Sequence, residues 1–568
     1  MYKIFVRIYS TNLAIDPNIY SLMELNNITK IKKHPYMFHQ LCVKIPELLE
    51  ENMANTFIDN NFNPKSVKDE IPKFLLHLNK RQPFVDEYEI KEKSKHYLEE
   101  IISKPKYNLN NENMDGRLLE EKERSIKSKI KEKLQKYTYH WTPINFDKKT
   151  TLMYVAGKMV PNFAVLYKIF HEIKIRRPEF KPTSILDFGS GVGSVSWAAQ
   201  TIWNDSLNQH YSVDNCSQIS DISRQIVNGR SSSAFRYNLK NFITYKNNLP
   251  ASKEKFDLVV SAHTLMDIPG YKNREQFYTQ LLSNTSKYLI FVEYGTRSAF
   301  KLMLEVREHI LNKLQKQIIN YRTYKTNGQY MPIDFADLYS HINNISIFAP
   351  CPHSGSHCPR VDSFLTKTPC AFQVRYFPPK FINAHRSNAL SEPYTYIVFE
   401  INATPSSPSY FPSLRSNTDR NSNHPNLLNF DTYPDNEIIG GNIDKNYPHS
   451  NNVSPQRHND DKFYDKKSNV PSLTHDKIEI TDLKLSTDSN GHSTRPTIDS
   501  DDWPRLITPN LLKSRHVHCR LCTHEGKIVN YVMTAYKNGK DAYTCAKKSD
   551  LGDLFPFRLS EEPTPTEQ

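Results

Sequence analysis

The sequence predicts an α/β protein: a doubly wound sheet of the seven-stranded kind, with a helical region before it and a small cysteine-containing β extension after it. Three observations carry this. The apolar run Ser184-Ile185-Leu186-Asp187 leads into Phe188-Gly189-Ser190-Gly191-Val192-Gly193, with glycine at every second position, and a helix begins at Ser194. Strand-like and helical runs alternate from there to Tyr321, the order expected when helices cover both faces of a sheet. Two more strand-like runs, Ile345–Ala349 and Tyr394–Ile401, follow with no helix evident between them and close the sheet as a hairpin.

Within the alternating stretch the strands are Ser184–Asp187, Tyr211–Asp214, a weaker Phe242–Tyr245, Phe256–Ala262 and Tyr288–Glu293. Helices are expected after the glycine loop, over Ile222–Val227 and over Ser298–Tyr321. Before the sheet, residues 16–150 read as helical. The run from Leu119 to Lys131 mixes charges at helical spacing with few apolar residues, which marks a solvated helix face, or a lysine-rich face that meets phosphate. Residues 1–15 hold Lys3, Arg7 and hydroxyl residues with no acid, the composition of a mitochondrial targeting segment. Arg7-Ile8-Tyr9-Ser10 resembles a matrix-peptidase site cut after Tyr9.

The central domain spans 151–402 and contains one long connection, 350–371, carrying Cys351, Cys358 and Cys370. A connection of that length inside a compact domain usually has a task. Residues 403–502 are rich in Ser, Asn, Asp and Pro, and packing could not offset the entropy of ordering them, so they read as a disordered insertion. Order resumes at Trp503. The extension 503–560 holds Cys519, Cys522 and Cys545, with a hairpin expected at Lys537-Asn538-Gly539-Lys540.

The chain has 568 residues, 38% of them hydrophobic, a net charge of +13 and a pI of about 9.0. The basic excess favours a polyanionic partner, RNA first. No apolar run reaches the roughly 18 residues of a membrane span. Eight cysteines in so long a chain do not form a disulfide framework. Cys42 and Cys216 are isolated, and the other six fall in the two late groups.

The Ile-Leu-Asp-Phe-Gly-Ser-Gly-Val-Gly run differs from the dinucleotide fingerprint in having an acid just before the first glycine. It resembles the first motif of S-adenosylmethionine-dependent methyltransferases. That resemblance implies a cofactor site at Asp187, Gly189, Ser190, Gly191 and Gly193, with Asp214 at the end of the second strand holding ribose hydroxyls. Binding is not catalysis. Where base methyltransferases carry an Asn/Asp-Pro-Pro-aromatic stretch, this chain reads Ser261-Ala262-His263-Thr264-Leu265-Met266-Asp267, and no cysteine nucleophile lies nearby. His263 and Asp267 are conceivable bases but read more simply as loop residues, and no catalytic residue is assigned.

Cys351, Cys358 and Cys370 supply three thiolates within one connection, enough for a zinc or iron–sulfur site if a fourth ligand arrives from Cys519, Cys522 or Cys545. Zinc competes, because His353 and His357 are at hand and Cys519 and Cys522 have zinc-knuckle spacing. Either site would tie the extension to the central domain across the insertion.

These motifs together resemble a family. Ala349-Pro350-Cys351-Pro352-His353, Cys358-Pro359, Pro369-Cys370, Leu521-Cys522 with Gly526, and Tyr543 to Asp553 with Cys545, Ser549 and Gly552 are similar to the mitochondrial methyltransferase-like protein 17 family. It includes small-subunit ribosomal methyltransferase-like assembly factors of yeast and bacteria. The likeness runs from Pro161 to Pro556 apart from the insertion. It implies a mitochondrial matrix factor that binds the maturing small ribosomal subunit and its rRNA and supports translation; separately, no membrane or DNA partner is expected, and the protein is expected to be monomeric off the ribosome. It also implies a four-iron, four-sulfur (4Fe-4S) cluster on Cys351, Cys358, Cys370 and Cys522. Ala371 stands where the family tends to have histidine, and Leu551 where it tends to have tryptophan. The family's own methyl transfer is doubtful, in keeping with the missing acceptor motif.

Overall fold

The computed structural model describes residues 13–83, 87–104, 116–137, 144–230, 243–250, 254–313, 345–355, 357–362, 369–380, 388–401 and 502–559. The chain divides into two units, 1–409 with 497–568, and 410–496; every described residue belongs to the first. The insertion read at 403–502 lies outside the described residues except for its last position.

In chain order the strands are β1 (Leu13–Ile15), β2 (Cys42–Val43), β3 (Ser184–Phe188), β4 (Gln209–Val213), β5 (Ile243–Lys246), β6 (Phe256–Ala262), β7 (Thr285–Tyr294), β8 (Ile345–Ala349), β9 (Phe372–Tyr376) and β10 (Leu390–Ile401). The extension adds β11 (Arg505–Leu506), β12 (Leu511–Lys513), β13 (His516–Cys522), β14 (Ile528–Met533) and β15 (Phe557–Leu559). The central sheet runs β2-β9-β10-β7-β6-β3-β4-β5, with β8 paired to β10 off this path. Strands β3 to β7 are parallel, and β10 is antiparallel to β7, β8 and β9.

This is a methyltransferase-like α/β fold with a mixed sheet, but among the described residues the sheet has nine strands where the sequence suggested seven. The additions, β2 and β9, extend it past β10. Strands β6 and β7 read as near-continuous apolar runs because helices cover both faces. Their alternation divides them between two cores: Leu258, Val260, Ile290 and Val292 join one, and Val259, Leu289 and Phe291 the other. The first core also takes the helix Val160–Arg176 and, from the N-terminal region, Leu49, Met53 and Phe57 of the helix Glu47–Asp59.

The extension forms its own antiparallel sheet, β11-β13-β12 with β14 on β13. It shares a third core with the N-terminal segment, where Ile19, Met23, Tyr36 and Phe38 pack with Trp503, Val517, Leu521 and Phe555. Trp503 Nε1 donates to Asp16 Oδ2 at 2.9 Å, and β1 pairs with β15. Residues 13–15, read as the end of a targeting segment, are therefore built into the fold. A cut after Tyr9 would leave β1 intact, and residues 1–12 lie outside the described residues.

Two local expectations are corrected. The hairpin at Lys537–Lys540 is instead the junction of the helices Ala535–Asn538 and Lys540–Lys548, with Gly539 at φ 83 between them. Asn-Gly supplies a positive-φ turn, but the residues after it are helical and offer no strand to pair. The helix expected over Ser298–Tyr321 is α-helical over Arg297–Glu308 and π-helical over His309–Lys313; the remainder lies outside the described residues.

Candidate functional site

The connection 350–371 owes its position to β10. Ala349, at the end of β8, pairs with Val398, and Phe372, at the start of β9, pairs with Tyr394. The chain therefore leaves and rejoins the same edge of β10 four residues apart, about 13 Å at strand rise. Cys351 and Cys370 sit just inside these two ends. Thr395 Oγ1 of β10 donates to the Cys370 carbonyl at 3.0 Å, and the Val361 N–H donates to the Cys358 carbonyl at 2.9 Å.

One apolar pocket is lined by Cys351, Cys358, Cys370 and Cys522, together with Pro350, Pro359, Arg360, Phe372, Ile507 and Ile528. The four thiols come from both sides of the insertion. Burial pushes Cys358 up to about 11, with Cys351 adding to it, and holds Cys370 and Cys522 well above the ordinary thiol range. The other three thiols raise Cys522 further, so the four groups feel one another's charge. Arg307, Arg360 and Arg505 act in the opposite direction on members of the set. All three arginines are buried.

Cys519 and Cys545 lie elsewhere. Along a strand, side chains alternate faces, so Cys519 and Cys522, an odd number of positions apart on β13, point oppositely. Cys519 and Cys545 enter the third core, where Cys545 Sγ is 3.5 Å from His34 Nε2. His353 does not line the pocket either. It is buried against Arg307, whose Nη2 is 3.3 Å from its Nδ1, and packs beside Gly526; burial first, then Arg307, lowers its pKa to about 4. Among the described residues, no three His, Cys, Asp or Glu side chains converge as a single ion requires.

The glycine loop is fixed to β4. Gly189 and Ser190 N–H groups donate to the Val213 carbonyl at 2.8 and 3.0 Å. Gly189, Gly191 and Gly193 all take positive φ, and the helix Ser194–Trp203 follows. Asp214, next in line after β4, accepts from Gly191 N–H and Cys216 N–H, each at 2.9 Å. Each of its oxygens keeps a lone pair for a ribose hydroxyl. Asp187 is fully buried, and neither of its carboxylate oxygens has a hydrogen-bond partner; burial first, then Asp214, raises its pKa well above the usual range. The buried Ser190 hydroxyl is likewise unpartnered. Orphaned polar atoms beside a glycine loop suit a polar ligand. The residues present fit S-adenosylmethionine.

The carboxyl ends of β6 and β7 are filled by the chain itself. His263 takes φ 60 and stacks on Tyr294 at 4.2 Å between centroids. Burial, with Lys158 and Arg81 nearby, lowers it to about 3, which makes it a poor base. Asp267 is ion-paired to Arg81, from the N-terminal region. Glu293 is fully buried, accepts from Leu265 N–H at 2.8 Å, and is pushed up to about 7 by burial against the pull of Arg81. Thr264 presses on the loop, lying 2.0 Å from where a Cβ on Gly189 would stand. Sequence reading missed Thr264, Glu293 and Arg81, because it had no means of placing Arg81 against this end of the sheet.

Fold and loop together define a methyltransferase-like α/β protein. The family model described as mitochondrial small ribosomal subunit Rsm22 matches residues 148–409 and 474–556, and the chain belongs to that family. It is 25% identical over 526 residues to the human mitochondrial ribosome assembly protein METTL17, covering 92% of this chain and 85% of that protein. It is 23% identical over 421 residues to the mitochondrial Rsm22-cox11 tandem protein 2 of Schizosaccharomyces pombe, covering 72% of this chain and 43% of that longer protein. Among solved structures, magnesium protoporphyrin IX methyltransferase from Synechocystis, with bound SAH, matches at 13% identity and a TM-score of 0.23, covering 49% of this chain and all of that one. The relatives are mitochondrial by name.

Proposed function

We propose that this protein is a mitochondrial matrix factor that binds the maturing small ribosomal subunit through its rRNA, carries a 4Fe-4S cluster on Cys351, Cys358, Cys370 and Cys522, and supports mitochondrial translation. The observation that carries the reading is the meeting of these four thiols at one pocket from both sides of the insertion. The donor set fits a cluster. In a cluster each iron takes its own thiolate, whereas a single tetrahedral zinc needs sulfurs about 3.8 Å apart around one point. His353, turned toward Arg307, offers zinc no nitrogen at the pocket. A cluster with four thiolates is net negative, and the buried Arg307, Arg360 and Arg505 suit that charge. Bound there, it would brace the extension against the central domain. The family membership and the ribosome assembly role carried in the name of the human relative support the ribosomal reading.

A second reading, an rRNA methyltransferase, is favoured by the buried Asp187 carboxyl group, whose oxygens accept no hydrogen bond. Asp187, Gly189, Ser190, Gly191, Gly193 and Asp214 would hold S-adenosylmethionine, which supplies the methyl group. Replacing Gly189 and Gly191 with valine in the intact chain separates the two readings. Unchanged rRNA methylation with intact subunit assembly leaves the scaffold reading standing; loss of one specific rRNA methyl group establishes the enzyme.

A further inference from the structure

The C-terminal sheet has two unlike ends. At one, Cys522 pairs with Ile528 and faces the thiol pocket. At the other, Val517 pairs with both Leu512 and Met533, so the β12–β13 turn and the segment after β14 emerge together. With seven residues in β13, the two ends are about 20 Å apart.

The far end presents what a soluble fold normally avoids. Every residue from Leu511 to His516 is exposed, with Leu511 at 61% and Leu512 at 56%. Tyr536 is fully exposed, and its neighbour Lys537 and then Gly539 and Lys540 are also exposed. Lys513, Arg515, Lys537 and Lys540 give this tip four cations, and none forms an ion pair among the described residues. The nearest acid in sequence, Asp541, accepts from Tyr20 at 3.3 Å. Unpaired cations beside an aromatic face and bare leucines match a ligand with phosphates and flat apolar surfaces, which is an unpaired nucleic-acid strand.

We propose that this tip, Leu511–His516 with Tyr536–Lys540, is an RNA-contacting surface: Tyr536 stacks on an unpaired base, and Lys513, Arg515, Lys537 and Lys540 meet the backbone around it. This rests on the ribosomal-RNA reading above and assigns it a location. The sheet then works as a strut, held at the cysteine end and reading RNA at the other.

The test uses the full chain and two labelled probes, a single-stranded RNA oligonucleotide and an RNA duplex of equal length, titrated at several salt concentrations. Tyr536→Ala is expected to weaken single-strand binding about tenfold and leave the duplex nearly unchanged. The triple variant K513A/R515A/K537A is expected to weaken both and to lower the single-strand salt slope by about two. All four side chains are exposed, so the thermal midpoint should hold, which separates lost contacts from lost fold. Variants that bind both probes as the parent does overturn the proposal. So does a loss confined to anionic vesicles or to a protein partner while RNA binding persists. A parent chain that binds neither probe defeats the ribosomal-RNA reading itself.

Discussion

Arg505 of β11 reaches into the central domain and pairs with Glu172 of the helix Val160–Arg176, its Nη1 3.3 Å from Oε2, with both side chains buried. Arg505 also donates to the Gly552 carbonyl at 2.9 Å, and Tyr396 donates to the same Glu172 carboxylate at 3.1 Å. Arg505 is, in addition, the Cα partner of Cys522 across β11 and β13. The residue that locks the extension onto the domain is thus the strand neighbour of the fourth thiol.

Removing Arg505 takes one of two buried cations from Glu172, leaving Arg176 at 3.0 Å as the other. Arg505→Ala is expected to cost about 3–5 kcal/mol in denaturant unfolding and to loosen the extension first. Arg505→Met combined with Glu172→Leu should recover part of that loss; Arg176, 3.0 Å from Glu172, then loses its own carboxylate and limits the recovery. Recovery absent in the double variant would mean that the pair has a role beyond neutralising Glu172.

The fourth thiol is distinguishable by substitution. Cys522→Ser should reduce iron content and visible absorbance as strongly as Cys351→Ser, Cys358→Ser or Cys370→Ser. Cys519→Ser and Cys545→Ser should keep both and lose about 1–2 kcal/mol of stability, the cost of a polar atom in an apolar core. Elemental analysis of each variant decides it.

Much of this was legible in the chain. The strands that became β3, β4, β6 to β8 and β10 stood out in the sequence, β5 only weakly, and the glycine loop located the first of them. Strand β9 carried a readable signal that went unread: Phe372, Val374 and Tyr376 point inward, while Gln373 and Arg375 are exposed. Two-residue β2 carried none. Spacing alone fits both Cys519 and Cys522; the family resemblance singled out Cys522, and the register of β13 puts that thiol, not Cys519, at the pocket. The placing of Arg81 against Asp267 and of Arg505 against Glu172 depends on tertiary packing that no local pattern encodes.

Glu293 gives the fold a pH signature. Its pKa rises from 4.5 to about 7 on folding, so the folded state holds the proton more tightly than the unfolded one. The stabilisation is fully present below about 4.5 and is lost as pH rises toward 7. The shift corresponds to something on the order of 3 kcal/mol. His263, lowered to about 3, works in the opposite sense, losing stability as pH falls below 6.5. Subtracting the unfolding free energy of Glu293→Gln from that of the parent across pH 4 to 8 isolates the carboxyl group. A flat difference contradicts the assignment.

At the glycine loop, Gly189→Ala would drive a Cβ into Thr264 at φ 71, whereas at Gly191 the nearest atom is 3.7 Å away. Calorimetry with S-adenosylhomocysteine should therefore show binding abolished in Gly189→Ala and weakened in Gly191→Ala. Asp214→Asn should bind about tenfold less tightly, since it exchanges a charged acceptor for a neutral one. Equal affinity in all three would place the ligand elsewhere.

The proposed cluster has a composition that can be measured directly. The full chain, purified without oxygen, should contain about four iron and four sulfide per molecule, with a broad absorbance near 400 nm. A chain that lacks iron and sulfide and instead holds one equivalent of zinc, or no metal, would contradict it.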